Sequence, residues 1–159
     1  MTVRTTAGST LAISASQPAT YNNTGYEALT TASPSTFVDI GEISDLGEFG
    51  RVYNVVKYNT IATRATTKRK GSYDEGTMNL KVGLDNDDAG QTLAKTASMS
   101  DNDYSFRLTI QDGTKYYFQA QVASFKITAG SVDSITEAMI ALELTSDPNG
   151  GGIVQVDPA

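Results

Sequence analysis

The chain has 159 residues, a formal charge of −6 and a pI near 4.5, and it contains no His, Cys or Trp. Without Cys there is no disulfide framework, thiol nucleophile or zinc site of the usual kind; without His, Ser-His-Asp and Cys-His constellations are impossible, and so is a side chain that titrates near neutrality unperturbed. The composition argues against catalysis, and the net acidity argues against a general grip on nucleic-acid phosphates.

No apolar run approaches the roughly 18 residues of a membrane span. The opening MTVRTTAGSTLAISAS carries Arg4, but Thr10–Ala15 is too short and too polar for a signal-peptide core. The expectation is a chain made and kept in a cytoplasm-like compartment. The length fits one domain, and abundant Ser and Thr with scarce Pro point to a β protein.

In chain order, Thr10–Ser16 reads as a first strand. The Ser/Thr/Asn/Pro-rich stretch Gln17–Ser35, with Asn22, Asn23 and Gly25, reads as a loop. Phe37–Ile43 is a short strand between turn residues. Residues 45–76 are β-branched enough for strands yet show no clean core pattern. Gly76–Leu84 alternates, with Met78, Leu80, Val82 and Leu84 on one face and Thr77, Asn79 and Lys81 on the other.

Asp85–Ala97 breaks that rhythm. Asp88 and Gln91 are spaced as a capping box, acids at Asp85, Asp87 and Asp88 suit a helix N-terminus, and Ala89, Leu93 and Ala97 form one narrow stripe. A helix so short must dock on a sheet. Tyr104–Ile110 and Lys115–Val122 form a hairpin. A two-residue Asp112-Gly113 turn would set Leu108 against Tyr117 and place the apolar sets on opposite faces. The three-residue loop Gln111-Asp112-Gly113, with Gly113 left-handed, instead puts 106 opposite 118 and 108 opposite 116. Ser134–Thr145 fits both periods, and its β-branched residues favour a long strand. Beyond Asp147-Pro148, residues 149–159 read as a flexible tail whose Ile-Val-Gln-Val patch folds only against a neighbour, leaving 1–148 as the β domain.

Candidate chemical sites reduce to structure. The acid pairs Asp87/Asp88, Asp101/Asp103 and Asp74/Glu75 are explained as caps and turns rather than a glycosidase pair. Asp85-Asn86-Asp87-Asp88 lacks the spacing and closing Glu of a calcium loop. Asn149–Gly152 lacks the Lys and the strand–helix context of a phosphate loop. No catalytic residue, metal or cofactor is expected. Charge is more telling. Six of the twelve basic residues (Arg51, Lys57, Arg64, Lys68, Arg69 and Lys70) fall between 51 and 70, after the acids Asp39, Glu42, Asp45 and Glu48. That pattern suits a protruding loop whose positive surface meets a negative surface on another subunit; an RNA-binding arm and an ordinary solvated hairpin are the alternatives.

The ordered set AGSTLAIS, FVDIGEISDLGEFG, GTMNLKVGLDNDDAGQTLAK, YSFRLTIQDGTKYYFQAQVASF and SITEAMIALELTSDP resembles the major tail tube protein of long-tailed, non-contractile, lambda-like bacteriophages, from about Ala7 to Pro148. The resemblance implies a β-sandwich or barrel with one short flanking helix and a long inter-subunit loop at about 46–75. It implies hexameric rings, closed by joined inner sheets and stacked into a virion tail tube assembled in the host cytoplasm, and it implies tape-measure, tail-tip and terminator partners. Genome DNA would pass through without specific binding. Six copies at −6 each carry about −36 per ring, which repels a polyanion. Thr77, Asn79, Lys81, Glu137 and Glu143 are the candidate lumen residues, with Lys81 blunting the negative field. Some members of that family continue into an immunoglobulin-like domain; this chain stops at Ala159, so display by such a domain is not expected. Two alternatives share the sequence features. One is a tube component of a contractile tail or secretion system. The other is a monomeric β-sandwich binding sugar or protein, for which Tyr21, Tyr26, Tyr53, Tyr58 and Tyr73 are scattered candidates.

Overall fold

The computed structural model describes residues 3–32 and 35–158. Its strands are β1 (Thr10–Ser14), β2 (Val38–Asp39), β3 (Ile43–Asp45), β4 (Val52–Asn59), β5 (Thr66–Asp74), β6 (Thr77–Gly83), β7 (Tyr104–Thr109), β8 (Lys115–Thr128), β9 (Glu137–Thr145) and β10 (Val154–Val156). The helices are α1 (Asn23–Thr31) and α2 (Ala89–Ser98). An eight-stranded sheet runs β2-β1-β7-β8-β9-β6-β3, with β10 added on β8, while β4 and β5 form a separate two-stranded ribbon. The fold is mainly β.

The main core lies inside the curl of the sheet. Alternation supplies it: Leu11 and Ile13 of β1, Met78, Leu80 and Val82 of β6, Phe106 and Leu108 of β7, Phe118, Ala120 and Val122 of β8, and Ala138, Ile140, Leu142 and Leu144 of β9 are all buried. Leu84, just past β6, is half-buried against this core. In the β7–β8 hairpin Phe106 faces Phe118 and Leu108 faces Tyr116, the register of the three-residue loop. The Phe106 and Phe118 rings stack at 5.5 Å. Gly113 has φ +95°, and the Asp112 carboxylate accepts the Thr114 N–H at 2.8 Å; that backbone bond holds the Asp112 pKa below its ordinary value.

Several elements differ from the expectation. Two helices flank the sheet instead of one, because the stretch expected as the loop Gln17–Ser35 contains α1 (Ser33 and Pro34 lie outside the described residues). The Asn22 side chain caps α1 by accepting the Gly25 N–H at 3.0 Å. Gly25 is required there, since a Cβ would sit 1.9 Å from the Thr20 carbonyl oxygen. Tyr26 then enters a second small core with Ala12, Phe37 and Tyr117 on the other side of the sheet, so β1 is covered on both faces. Phe37–Ile43 is two short strands rather than one, broken where Glu42 takes φ +58°.

In α2 the Asp88 cap accepts the Gln91 N–H at 2.8 Å as expected. Gln91 does not reciprocate: its amide donates to the carbonyls of Gly41 and Gly83 at 3.0 and 2.9 Å and accepts from Asp85 N at 3.0 Å. The buried stripe is accordingly Gly90, Ala94 and Ala97, with Leu93 half-buried and Ala89 exposed. At the C-terminal end the expected tail lies on its own chain, as β10 pairs antiparallel to β8 with Val154 opposite Tyr117.

Candidate assembly surfaces

Three features stand outside the two cores. The first is the β4–β5 ribbon. Its register sets Val55 opposite Lys70, Val56 opposite Arg69, Lys57 opposite Lys68 and Tyr58 opposite Thr67. Facing partners share a side, so the ribbon has two unlike faces. One carries Lys57, Lys68, Lys70 and Tyr53, with Lys70 Nζ 4.7 Å from the Tyr53 ring centre. The other carries Val56, Tyr58 and Arg69. Nothing in the described chain covers either: Lys57, Arg64, Lys68, Arg69 and Lys70 are exposed, and so are Val52, Val55, Val56, Tyr58 and Ile61. Five of the six residues of the basic cluster are therefore together on one free-standing arm, and no acid occurs between 52 and 73 to neutralise them.

Arg51, the sixth, is placed differently. It sits at the arm's base, where its guanidinium contacts the carboxylate of the buried Glu75 at 2.8 Å and lies 3.9 Å from the Tyr73 ring centre. A hydrogen bond to the Tyr53 hydroxyl, together with the Glu75 carboxylate, raises the Arg51 pKa further and keeps it charged. The chain enters and leaves the base through Gly50 (φ +152°) and Gly76 (φ +95°), and a Cβ on Gly76 would sit 2.9 Å from the Gly50 carbonyl oxygen. The C-terminal segment touches this base. The Tyr73 hydroxyl donates to Gly150 O at 3.1 Å, and Gly152 lies so close to the Glu75 carboxylate that a Cβ there would overlap it.

The second feature is the polar face of β6 and β9. Thr77 pairs with Glu143, Asn79 with Ala141 and Lys81 with Met139. All five sequence-selected residues Thr77, Asn79, Lys81, Glu137 and Glu143 share this face, opposite the buried Met78/Leu80/Val82 and Ala138/Ile140/Leu142 set. Thr77 Oγ1 donates to Glu143 at 2.7 Å, and Lys81 Nζ pairs with Glu137 at 3.2 Å. β8 continues the face through Gln121, Ser124, Lys126 and Thr128, which stand opposite Glu143, Ala141, Met139 and Glu137. Two Lys and two Glu are thus interspersed here; the face is near neutral and the surplus negative charge lies elsewhere.

The third feature is a backbone edge. β7 accompanies β8 only as far as Tyr104 opposite Ala120, whereas β8 runs on to Thr128. From Gln121 to Thr128 β8 is paired on its β9 side alone. At the other end of the four-strand run β8-β9-β6-β3, the three-residue β3 is terminal. Unpaired ladder groups of this kind template the addition of a strand.

The remaining candidates resolve into structure. Asp88 also accepts the Gly41 N–H at 3.1 Å, and Asp85 accepts the Asp87 N–H at 3.0 Å, so the acidic quartet holds turns and a cap. Tyr21 and Tyr26 meet edge to face at 6.3 Å, while Tyr53 and Tyr73 meet at 5.5 Å on the arm. Tyr58 lies on the arm's other face, so the five tyrosines form no single platform. A buried polar network that sequence reasoning missed lies under α1. Tyr26 and Tyr117 stack at 5.0 Å, Gln119 donates to the Tyr26 hydroxyl and to Ser105 Oγ, both at 2.9 Å, and the Tyr117 hydroxyl donates to Glu27 at 2.9 Å. Burial pushes both phenol pKa values up to about 12, overriding the lowering bonds from Gln119 to Tyr26 and from Thr30 to Tyr117. The only available signal was polar residues on the reverse face of a strand, which alternation assigns to solvent.

No family model matches the chain, and no curated protein matches it. Solved structures do. A chain of the anti-feeding prophage (AFP) baseplate, from a sixfold-symmetrised cryo-EM structure, superposes with a TM-score of 0.63 at 10% identity, covering 99% of this chain and 97% of that one. A chain of the sheath–tube complex of an extracellular contractile injection system (PVC), in the extended state, superposes with a TM-score of 0.56 at 11% identity, covering 94% and 88%. At these identities the likeness is one of fold.

Proposed function

We propose that the chain is a structural subunit that joins with copies of itself into hexameric rings, stacked into the tail tube of a long-tailed bacteriophage. The observation that carries this reading is the four-strand run β8-β9-β6-β3, with an unpaired edge from Gln121 to Thr128, a core-facing side and a polar, charge-balanced side. Head-to-tail pairing of that edge with the terminal β3 of a second copy removes both edges, and repetition by a rotation that closes gives a ring. The polar face then lines the hole.

Such a lining suits passage of DNA. Lys81 is satisfied by Glu137, and its cation is answered before a phosphate arrives. Thr77 and Asn79 offer neutral polar contacts. The wall is slippery through local balance, and the −36 of a ring acts as a longer-range field, screened beyond roughly 10 Å at 0.1 M salt. Ring contacts to tape-measure, tail-tip and terminator proteins follow from the same role, as does a place in the virion after assembly in the host cytoplasm. Its work is structural, with no reacting group to supply.

A second reading has a specific observation behind it. One of the fold neighbours named above comes from the sheath–tube complex of a contractile injection system, so an inner tube of a contractile tail or injection system is the alternative within the same class. Electron microscopy of the concentrated purified protein tests both: hollow sixfold rings or tubes support a tube subunit, and a monomer at every concentration contradicts it. Binding of the assembled tube to a sheath protein from the same genome selects the contractile reading.

A further inference from the structure

The chain holds eight asparagines, and Asn149 is the one followed by glycine. An asparagine side-chain carbonyl is open to attack by the backbone nitrogen of the next residue, and glycine brings that nitrogen with no side chain in the way. The fold restrains several of the others. Asn22 caps α1, Asn54 donates to Ser72 Oγ at 2.9 Å, and Asn79 is paired with Ala141 inside the sheet. Asn149 is exposed, and its side-chain amide makes no hydrogen bond among the described residues. Gly150 has φ +82° with nothing within 4 Å of where a Cβ would stand, so the two residues can rotate toward each other without displacing packed atoms. What holds the loop is backbone. Gly150 N donates to Asp147 O at 2.9 Å, and the buried Asp147 carboxylate accepts the Asn149 and Gly151 N–H groups at 2.8 and 3.0 Å. Asp112-Gly113, the comparable aspartate pair, is closed to the same chemistry: Thr114 N–H keeps its carboxylate ionised, a form with no leaving group.

We propose that Asn149 is a self-modification site whose conversion releases the hold of the C-terminal segment on the base of the arm. Gly150 N, giving up its proton, bonds to the Asn149 side-chain carbonyl carbon; the side-chain nitrogen leaves as ammonia and a five-membered cyclic imide closes. Water then opens either carbonyl of the ring. One opening gives aspartate on the original backbone, the other isoaspartate, in which the chain runs through the former side chain. One water is consumed and one ammonia released, with no oxidant or cofactor. The reacting atoms belong to adjacent residues, so the step is intramolecular and needs no second molecule to find the site. Either product adds one negative charge to a chain at −6, in a loop already anchored by the Asp147 carboxylate and packed on the buried Glu75. Isoaspartate also adds one backbone atom just before Gly150. That shifts Gly150 N from Asp147 O, and shifts the Gly150 carbonyl that accepts the Tyr73 hydroxyl at 3.1 Å. Tyr73 and Glu75 both contact Arg51, so the loop and the arm's base loosen together. This chemistry goes beyond the tube reading and does not depend on it.

Ageing the full chain in mildly alkaline buffer, followed by peptide mass mapping with enzymatic labelling of isoaspartate, tests the site. Asn149 should convert ahead of every other asparagine, to aspartate and isoaspartate together, with ammonia released in equal amount and a rate that rises with pH. Asn149→Gln, which would have to close a larger ring, should stay unmodified with the same circular dichroism. Loss of one exposed hydrogen bond should make amide exchange over residues 71–76 about fivefold faster in aged than in fresh protein. Aged Asn149→Gln should exchange like fresh wild type, and Asn149→Asp, which adds the charge on an unaltered backbone, should show a smaller rise. Aged protein with Asn149 intact, or with another asparagine converted first, overturns the site. Conversion at Asn149 with exchange over 71–76 unchanged overturns the release of the arm's base.

Discussion

Lys57 and Lys68 face each other across the arm, both exposed, and one substitution there pulls folding and assembly in opposite directions. Like charges directly opposite on a strand pair destabilise it, and opposite charges stabilise it by roughly 0.2–1 kcal/mol. Lys68→Glu turns repulsion into attraction, a gain of about 1 kcal/mol to the ribbon. That corresponds to about a fivefold slower opening of the arm, read by amide hydrogen exchange over residues 52–74 in the dilute monomer. Assembly should suffer, because the arm falls from five cations to a net of three and presents a carboxylate to neighbouring copies whose remaining residues hold −11. One exposed pair lost and one repulsion gained amount to about 1 kcal/mol, a several-fold rise in critical concentration by sedimentation. The rise should shrink in 1 M salt, where the screening length is about 3 Å. Equal or faster exchange in the mutant arm would refute the register argument. Slower exchange with unchanged assembly would refute the arm's role as an electrostatic contact.

Three other perturbations follow from the geometry. Tyr26 and Tyr117 have phenol pKa values raised from 10 to about 12, so their contribution is whole below about pH 10 and is lost as pH climbs through 12. Urea midpoints should fall steeply across that window, on the order of 2 kcal/mol per phenol, and Tyr26→Phe should flatten the fall. Gly76→Ala places a Cβ against Gly50 O at a positive φ, costing about 1–3 kcal/mol at the arm's base, detectable as faster proteolysis of the arm. Truncation after Asn149 should preserve the far-ultraviolet dichroism while loosening residues 71–76, because Tyr73 loses its Gly150 acceptor; unchanged exchange there would show that the C-terminal segment does not brace the arm.

What could be read from the sequence follows from where burial is one-sided. Met78, Leu80 and Val82 of β6 and Ala138, Ile140, Leu142 and Leu144 of β9 meet the core on one face and water on the other, so period 2 appears in the letters. The three-residue Gln111-Asp112-Gly113 loop follows from requiring both apolar sets to meet. The arm was hard to read for the converse reason: with no buried face, nothing constrains Val52–Asn59 and Thr66–Asp74 to alternate. The helix α1 hid behind a composition of Asn, Thr and Gly because its hold on the sheet, the Tyr26–Tyr117 stack with hydrogen bonds from Tyr117 to Glu27 and from Gln119 to Tyr26, joins residues 90 to 93 apart. Gln119 looked solvent-facing because alternation cannot foresee a helix covering the second face. β10 is three residues long and pairs with one strand only, too little for any periodic signal. The basic cluster was visible, but Arg51's separate duty, answering a buried Glu75, needed the tertiary contact.

The central claim is that copies of this chain join edge to edge through the open side of β8. Cryo-electron microscopy of the concentrated protein tests it most directly. The expected map shows a closed ring in which residues 121–128 of each subunit are hydrogen-bonded to a strand of the next, with Thr77, Asn79 and Lys81 facing the hole. A map of separate molecules, or of an oligomer in which that β8 edge stays open to solvent, would contradict it.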